Sequence, residues 1–307
     1  MDTDLLDVVI AGGGPGGLNA ALVLGRSLKK VMVIDEAHPR NEVTIKSHGF
    51  LTRDGISPTA LRQIAHEELK TYKSVTVVKD VVEDVERHNG FFITKTKNGK
   101  IVKSQKMIFA TGMKDHLPAI PGLDLVYGKT VFHCPYCDGW ERKNEPLALF
   151  GSGAALLPFV KLIFNWSKDL IVFTNGPAHI GTEEKQQLDQ HGIQLVETPV
   201  SGLQSTDGKL EKVLLETGET FNRTGGFLAS TGERQGSAIP ARLGVPVNDR
   251  NEYETGSHGQ TNINGLFIIG DAKNTFTSLI GAASQGYEAA VKINGDFAAE
   301  NWDKGLT

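Results

Sequence analysis

The residues that most restrict what this chain can become are the run Gly12, Gly13, Gly14, Pro15, Gly16 and Gly17, because of what flanks them. A short apolar run, DVVIA, leads into the glycines from Asp7, and the dozen residues that follow, LNAALVLGRSLK, carry a helical pattern. A second apolar run, VMVID, ends on the acid Asp35. Strand, glycine turn, helix and a strand closing on a carboxylate is the order of a parallel βαβ unit that binds a dinucleotide. Gly12, Gly14 and Gly17 fall in G-x-G-x-x-G register. Such a turn lets backbone N–H groups approach a pyrophosphate while the helix behind offers its positive end, and a carboxylate at the place of Asp35 accepts from a ribose hydroxyl.

The pattern recurs downstream, where LALF (147–150) runs into Gly151-Ser152-Gly153, an apolar helical stretch and then LIVFTNG (170–176). At roughly 150 residues per domain, 307 residues hold two such domains. The proline-rich segments DHLPAIPGL (115–123) and AIPARLGVPVND (238–249) suit stiff crossings between them. The expected fold is therefore α/β, with two Rossmann-like nucleotide-binding domains of the three-layer ββα kind, the second inserted into the first. Residues 1–114 and 245–307 form the first domain in this reading, and 115–244 the second, which carries both cysteines. Segments VTVVKDVVEDVER and FFITKTKNGKIVKSQKMIFATG suggest a small antiparallel layer on the first.

Composition narrows the function. With 39% hydrophobic and 22% charged residues and a net charge of −4, the chain reads as globular, with no basic footprint for nucleic acid. No apolar run reaches the roughly 20 residues that span a bilayer, and the first residues are acidic where a signal peptide is basic. A cytoplasmic protein is expected. Thiols there are kept reduced, so a spaced cysteine pair is redox-active, catalytic or metal-binding rather than a structural staple.

That pair is Cys134 and Cys137, in FHCPYCDGWE. A CxxC closes a small redox disulfide, and lowering the thiolate pKa of one sulfur makes it the nucleophile. Zinc is the rival, but a structural site needs four ligands and His133 brings the count to three at best, so no metal is expected. Asp138 is placed either to exchange a proton with the pair or to be a solvated turn acid. Asp271 closes the strand GLFIIG ahead of a helix with Thr277 and Ser278 as candidate N-caps, and is either a turn acid or a ligand group. Ala110-Thr111-Gly112 ends another apolar strand and by itself reads as a turn. In the second glycine set, Leu156 stands where glycine or alanine allows close helix packing, and Thr174, Asn175 and Gly176 offer no charge to read a nucleotide 2′ group. That half is equally compatible with a nucleotide-type fold that no longer holds nicotinamide.

Taken in order, GGGPGG, Asp35, Ala110-Thr111-Gly112, CPYCDG and IIGD resemble the low-molecular-weight thioredoxin reductases and their relatives over nearly the whole chain. The resemblance implies FAD in the first domain, with Gly12, Gly14, Pro15, Gly16 and Gly17 at its pyrophosphate and Asp35 at its adenosine ribose. It sets Asp271 at the ribityl chain and Ser278 and Leu279 at the flavin ring. Glu36, Arg40, Asn41, Val82, Ala110, Thr111, Gly112 and Gly270 complete the implied cofactor set, and His48, Gly49 and Phe50 either line the flavin or form a packed loop. By the same resemblance Cys137 exchanges electrons with the flavin, Cys134 attacks the substrate disulfide and Asp138 is the acid/base. It further implies NADPH or NADH as donor, a thioredoxin-like protein or small disulfide as partner, and a homodimer whose domains rotate near Pro118 and Pro121.

Three departures bear on that carry-over: Thr-Asn-Gly replaces the family's paired NADPH arginines, Thr277-Ser278 replaces its Arg-Gln, and Pro-Tyr stands between the cysteines. The last of these, Cys-Pro-Tyr-Cys with Gly139-Trp140-Glu141 after it, is closer to divergent members, including ferredoxin-dependent forms and fungal dithiol oxidases, than to members with Ala-Thr between the cysteines. The expected function is an FAD-dependent thiol-disulfide oxidoreductase passing electrons through flavin to Cys134/Cys137 and on to a disulfide. The alternatives are a dithiol oxidase with oxygen as acceptor, a ferredoxin- or flavodoxin-driven reductase that does not use NADPH, and a flavin-containing redox sensor.

Overall fold

The computed structural model describes residues 5–275, 277–303 and 305. The chain divides into two compact units: the first runs to Glu42, from Gly49 to Lys114 and from Arg234 onward, and the second takes Val43–His48 and Asp115–Glu233.

The first unit opens with β1 (Leu6–Ala11), α1 (Pro15–Arg26), β2 (Val31–Asp35), α2 (Pro58–Leu69), β3 (Val75–Lys79), β4 (Val82–His88), β5 (Phe91–Thr96), β6 (Ile101–Phe109) and the short β7 (Met113–Lys114). Its sheet runs β3-β2-β1-β6-β5-β4. Val8, Val9 and Ile10 are wholly inaccessible, as in a parallel strand covered on both faces. The VTVVK segment is not part of an antiparallel layer: it pairs in parallel with β2, because Val75 and Val77 pack into the core beneath α1. The antiparallel strands β4, β5 and β6 extend the same sheet, with Phe92, Thr94 and Thr96 alternating inward.

The second unit holds α3 (Leu123–Val126), β8 (Val131–Phe132), α4 (Pro135–Asp138), β9 (Leu147–Phe150), α5 (Leu156–Ile163), β10 (Leu170–Phe173), α6 (Thr182–Gln190), β11 (Gln194–Val196), β12 (Val200–Thr206), β13 (Lys209–Leu215), β14 (Thr220–Asn222) and β15 (Gly225–Leu228). A parallel sheet of order β11-β10-β9-β15-β8 is accompanied by an antiparallel β12-β13-β14 sheet. Every residue of β9, β10 and β15 is buried, which is why these stretches read as unbroken apolar runs.

The chain re-enters the first unit at β16 (Arg234–Gln235), ahead of the boundary at 245 read from the prolines. β16 pairs antiparallel with β7, so the exit and return strands lie side by side. Then follow α7 (Ile239–Arg242), β17 (Leu266–Ile268), which pairs with the last residues of β6, and α8 (Leu279–Asp303). Helix α8 lies against α1 backbone to backbone: a Cβ on Gly286 would stand 2.1 Å from the carbonyl oxygen of Gly16. Leu24, Ala289, Ala290, Ile293 and Phe297 fill the core they share. This crossing fixes the N-terminus of α1 beside the glycine turn.

Candidate active site

The glycine turn is shaped by close approach. Gly12 has φ +103°, and a Cβ there would stand 2.3 Å from the carbonyl oxygen of Ala110, so strand β6 presses directly on the turn. Gly14 has open space around it, is extended, and caps α1 without any side chain, with Pro15 at the first helical position. The result is an uncapped helix N-terminus facing space, the geometry that receives an anion.

Asp35, at the tip of β2, closes one side. Its carboxylate accepts from the Gly13 N–H at 2.8 Å and the Ala37 N–H at 3.1 Å, and pairs with Arg62 of α2. Arg62 also donates to the Gly13 carbonyl at 2.5 Å. A carboxylate has about four acceptor positions; three are used here. Arg62 escaped the sequence reading because a lone arginine within an amphipathic helix carries no local signal.

The other implied cofactor residues lie on distant segments of this unit. Arg40 donates to Asp271 at 3.2 Å, tying the loop after β2 to the end of β17. Gly270 donates its N–H to Gln285 Oε1 of α8 at 2.7 Å. Ser278 caps the start of α8, accepting from the Gly281 N–H at 3.1 Å, with Leu279 as the first helical residue. Ala110 donates its N–H to the carbonyl of Ala11, Thr111 has a buried hydroxyl with no partner among the described residues, and Gly112 takes φ +58°. Gln235 donates to the carbonyls of Asn251 and Ala272, and its own buried oxygen has no partner among the described residues. Val82 packs against the cluster containing Met32, Ile34 and Phe109. Asn41 sits in the helical turn Arg40–Val43, while Glu36 is solvent-exposed and stands 3.8 Å from Lys114.

In the second unit Cys134 and Cys137 form a disulfide with a Cα–Cα distance of 5.2 Å. Cys134 is the N-cap of α4 and Pro135 its first residue; the N–H groups of Cys137 and Asp138 both turn back to the Cys134 carbonyl. Burial pushes the Asp138 carboxyl up to about 7; Glu141 adds to that rise, while His48 and Arg142 oppose it. His48 belongs to this unit, 3.5 Å from Glu141, whereas Gly49 and Phe50 belong to the first.

The second glycine set is built differently from the first. Gly153 takes φ +79°, but Leu156 opens α5 fully buried in the core. Beyond β10, Thr174 donates its hydroxyl to the carbonyl of Gly176, and Asn175 accepts from the Val200 N–H at 2.8 Å. Thr174 thus holds its own loop, and Asn175 ties that loop to the start of β12.

A family model described as pyridine nucleotide-disulphide oxidoreductase matches residues 6–286. The chain belongs to that family. Among its relatives, a protein of Arthroderma benhamiae bearing a thioredoxin reductase name is 30% identical over 98% of this chain and 82% of its own length. The thioredoxin reductase aclD of Aspergillus oryzae is 28% identical over 95% and 96%. The solved structure of the Bacillus anthracis protein named TrxB has a TM-score of 0.92 at 35% identity, covering 96% of this chain and 99% of its own. The family member described here is thus a flavin-dependent disulfide oxidoreductase of the thioredoxin reductase type, with two Rossmann-like domains. Among the described residues, no helix is long and apolar enough to cross a membrane.

Proposed function

We propose that this oxidoreductase binds FAD in its first unit and reduces a thioredoxin-like protein or a small disulfide through Cys134 and Cys137, in the cytoplasm. The residues fit the cofactor. Gly12, Gly14, Pro15, Gly16 and Gly17 set the open N-terminus of α1 at its pyrophosphate, and the remaining acceptor position of Asp35 meets a ribose hydroxyl. The unpartnered oxygens of Thr111 and Gln235 support a polar ligand beside Ala110 and Gly112. Asp271, held by Arg40, with Gly270, Ser278 and Leu279 extends the set, and Glu36, Asn41 and Val82 complete it. Bound FAD supplies two-electron transfer to and from the sulfur pair, which no side chain performs.

Once the pair is reduced, Cys134 attacks one sulfur of the substrate disulfide, Cys137 then attacks Cys134, and Asp138 moves a proton to or from the sulfurs. The observation that carries this reading is the Cys134–Cys137 disulfide with a buried carboxyl beside it whose pKa lies near 7. A homodimer is part of the proposal, supported by Ile280, Tyr287 and Val291, which lie exposed along one side of α8.

A second reading, in which electrons do not come from NADPH or NADH, is favoured by buried Leu156 and by Thr174 and Asn175, whose side chains bond Gly176 and Val200. Anaerobic titration followed by the visible spectrum tests both. A small dithiol is expected to bleach the flavin band through the cysteine pair. Colourless protein that does not take up FAD, or a band that no dithiol bleaches, overturns the proposal. Bleaching by NADPH or NADH decides against the second reading; its failure directs the search to reduced ferredoxin, flavodoxin or the dithiol itself, with oxygen as acceptor.

Arg62 provides an independent check on the cofactor assignment. Replacing it with methionine removes the guanidinium that holds Asp35 and the Gly13 carbonyl in place, so the turn is no longer preorganised. FAD binding is expected to weaken about tenfold, near 1.4 kcal/mol. Recovery of flavin fluorescence on dilution measures it, and unchanged retention of FAD would show that Arg62 is purely structural.

A further inference from the structure

His133 immediately precedes Cys134 and is exposed, yet its ring is held by a chain of hydrogen bonds running into the second unit. Its Nδ1 lies 2.8 Å from the hydroxyl of Tyr127, and that hydroxyl lies 2.9 Å from Asp115 Oδ2. Asp115 is fixed in turn by Thr231, whose hydroxyl donates to Oδ1 at 2.7 Å. Tyr127 is 6% exposed and Thr231 1%, so the chain is anchored in the interior.

The proton order along this chain follows from donor counting. A phenol has one proton, and an ionised carboxylate only accepts, so the Tyr127 proton points to Asp115. The Tyr127 oxygen must then accept from His133 Nδ1–H. This fixes the neutral ring in one tautomer, with Nε2 as its basic nitrogen. Asp115, Tyr127 and His133 thereby form a carboxylate–hydroxyl–imidazole relay ending one residue from the first cysteine. The relay thus ends on the residue that adjoins Cys134, whose sulfur Nε2 would reach directly or through one water.

We propose that His133 is the proton carrier for the substrate side of the exchange, with Tyr127 and Asp115 as its positioning residues. The inference rests on the direction of flow given under the proposed function and adds a group to it. His133 Nε2 takes the thiol proton of reduced Cys134. The resulting thiolate attacks the substrate R–S–S–R′; the Cys134–S–R bond forms, the S–S bond of the substrate breaks, and R′S⁻ leaves with the proton that the imidazolium returns. Cys137 then attacks Cys134 and releases RS⁻, so the pair is oxidised by two electrons and the substrate disulfide reduced by two. Asp138, at the other end of the same turn, serves the Cys137 half of the cycle.

The test reads the leaving group. Enzyme reduced anaerobically with dithionite is mixed with glutathione disulfide, whose thiol is basic, or with dithiobisnitrobenzoate, whose thiol is acidic. His133→Gln keeps a donor for Tyr127 but carries no proton. It is expected to slow the glutathione reaction about 100-fold. The nitrobenzoate reaction should hold within about 3-fold, since an acidic thiolate leaves unaided. Tyr127→Phe should lose about tenfold with glutathione disulfide alone, and the double variant should be no slower than His133→Gln, because the two act as one unit. Equal losses on both disulfides, or multiplying losses in the double variant, overturn the relay. The flavin spectrum reports folding of each variant, and wild-type enzyme that reduces neither disulfide sinks the reductase reading instead.

Discussion

Cys134→Ser is expected to abolish disulfide reduction, by roughly 10³-fold or more, while the protein keeps its flavin absorbance. The reason lies in what each sulfur must do. Electrons reach the substrate only by way of a sulfur that can attack, be attacked and leave as an anion, and a serine hydroxyl does none of these near neutral pH. Cys137→Ser separates the roles: Cys134 still attacks, but nothing resolves the mixed disulfide, so the substrate stays covalently attached and appears in the intact mass. Cys134→Ser should show no such adduct at Cys137. Loss of the bond itself is a minor matter for the fold. The pair encloses a two-residue loop, and loop-closure entropy assigns so short a link about 2 kcal/mol at most. Retention of a tenth of the wild-type rate by Cys134→Ser, or trapping at position 137 rather than 134, would reverse the assignment.

What the sequence revealed and what it hid follow one physical line. The turn at Gly12–Gly17 was legible because strand, turn, helix and Asp35 are consecutive, and their contacts are set by backbone geometry that only glycine tolerates. The same holds for β9 and β10, whose burial on both faces demands apolar residues throughout. Strand β3 was misplaced because alternating valines suit either a parallel or an antiparallel partner; the choice is made by α1 above it, which no local window contains.

Arg62 and the Asp115–Tyr127–His133 relay were hidden for a related reason. Each is defined by a contact between residues that sequence sets well apart, and a single arginine, tyrosine or aspartate carries no period or spacing to reveal it. His48 shows the middle case. The sequence marked it as either flavin-lining or packed, and the structure groups it with the redox pair beside Glu141. That placement bears on the proton chemistry of Asp138, where His48 and Arg142 pull against burial.

Asp138→Asn carries the second large effect, and it has two separable parts. In the folded protein the carboxyl titrates at about 7, against 3.8 for the free group, chiefly because burial disfavours its charge. Below pH 7 it therefore holds a proton that it can give to a departing thiolate, and above pH 7 it is a base. Asparagine does neither, so turnover should fall about 10²- to 10³-fold, and the inflection expected of wild-type activity near pH 7 should vanish. Stability moves the other way. Below about pH 4 the group is protonated whether the chain is folded or not, and burial costs nothing through charge. As pH rises toward 7 the unfolded chain ionises while the folded chain keeps its proton, so wild-type stability falls across that window and stays low above it. Asparagine carries no charge at any pH and escapes the penalty. The variant should gain on the wild type between pH 4.5 and pH 8, reaching on the order of 2–4 kcal/mol, read as a difference in Tm that grows with pH. A difference in Tm that is the same at both ends of that range, together with an activity inflection that survives in the variant, would mean that some other group titrates there and that Asp138 is a turn acid.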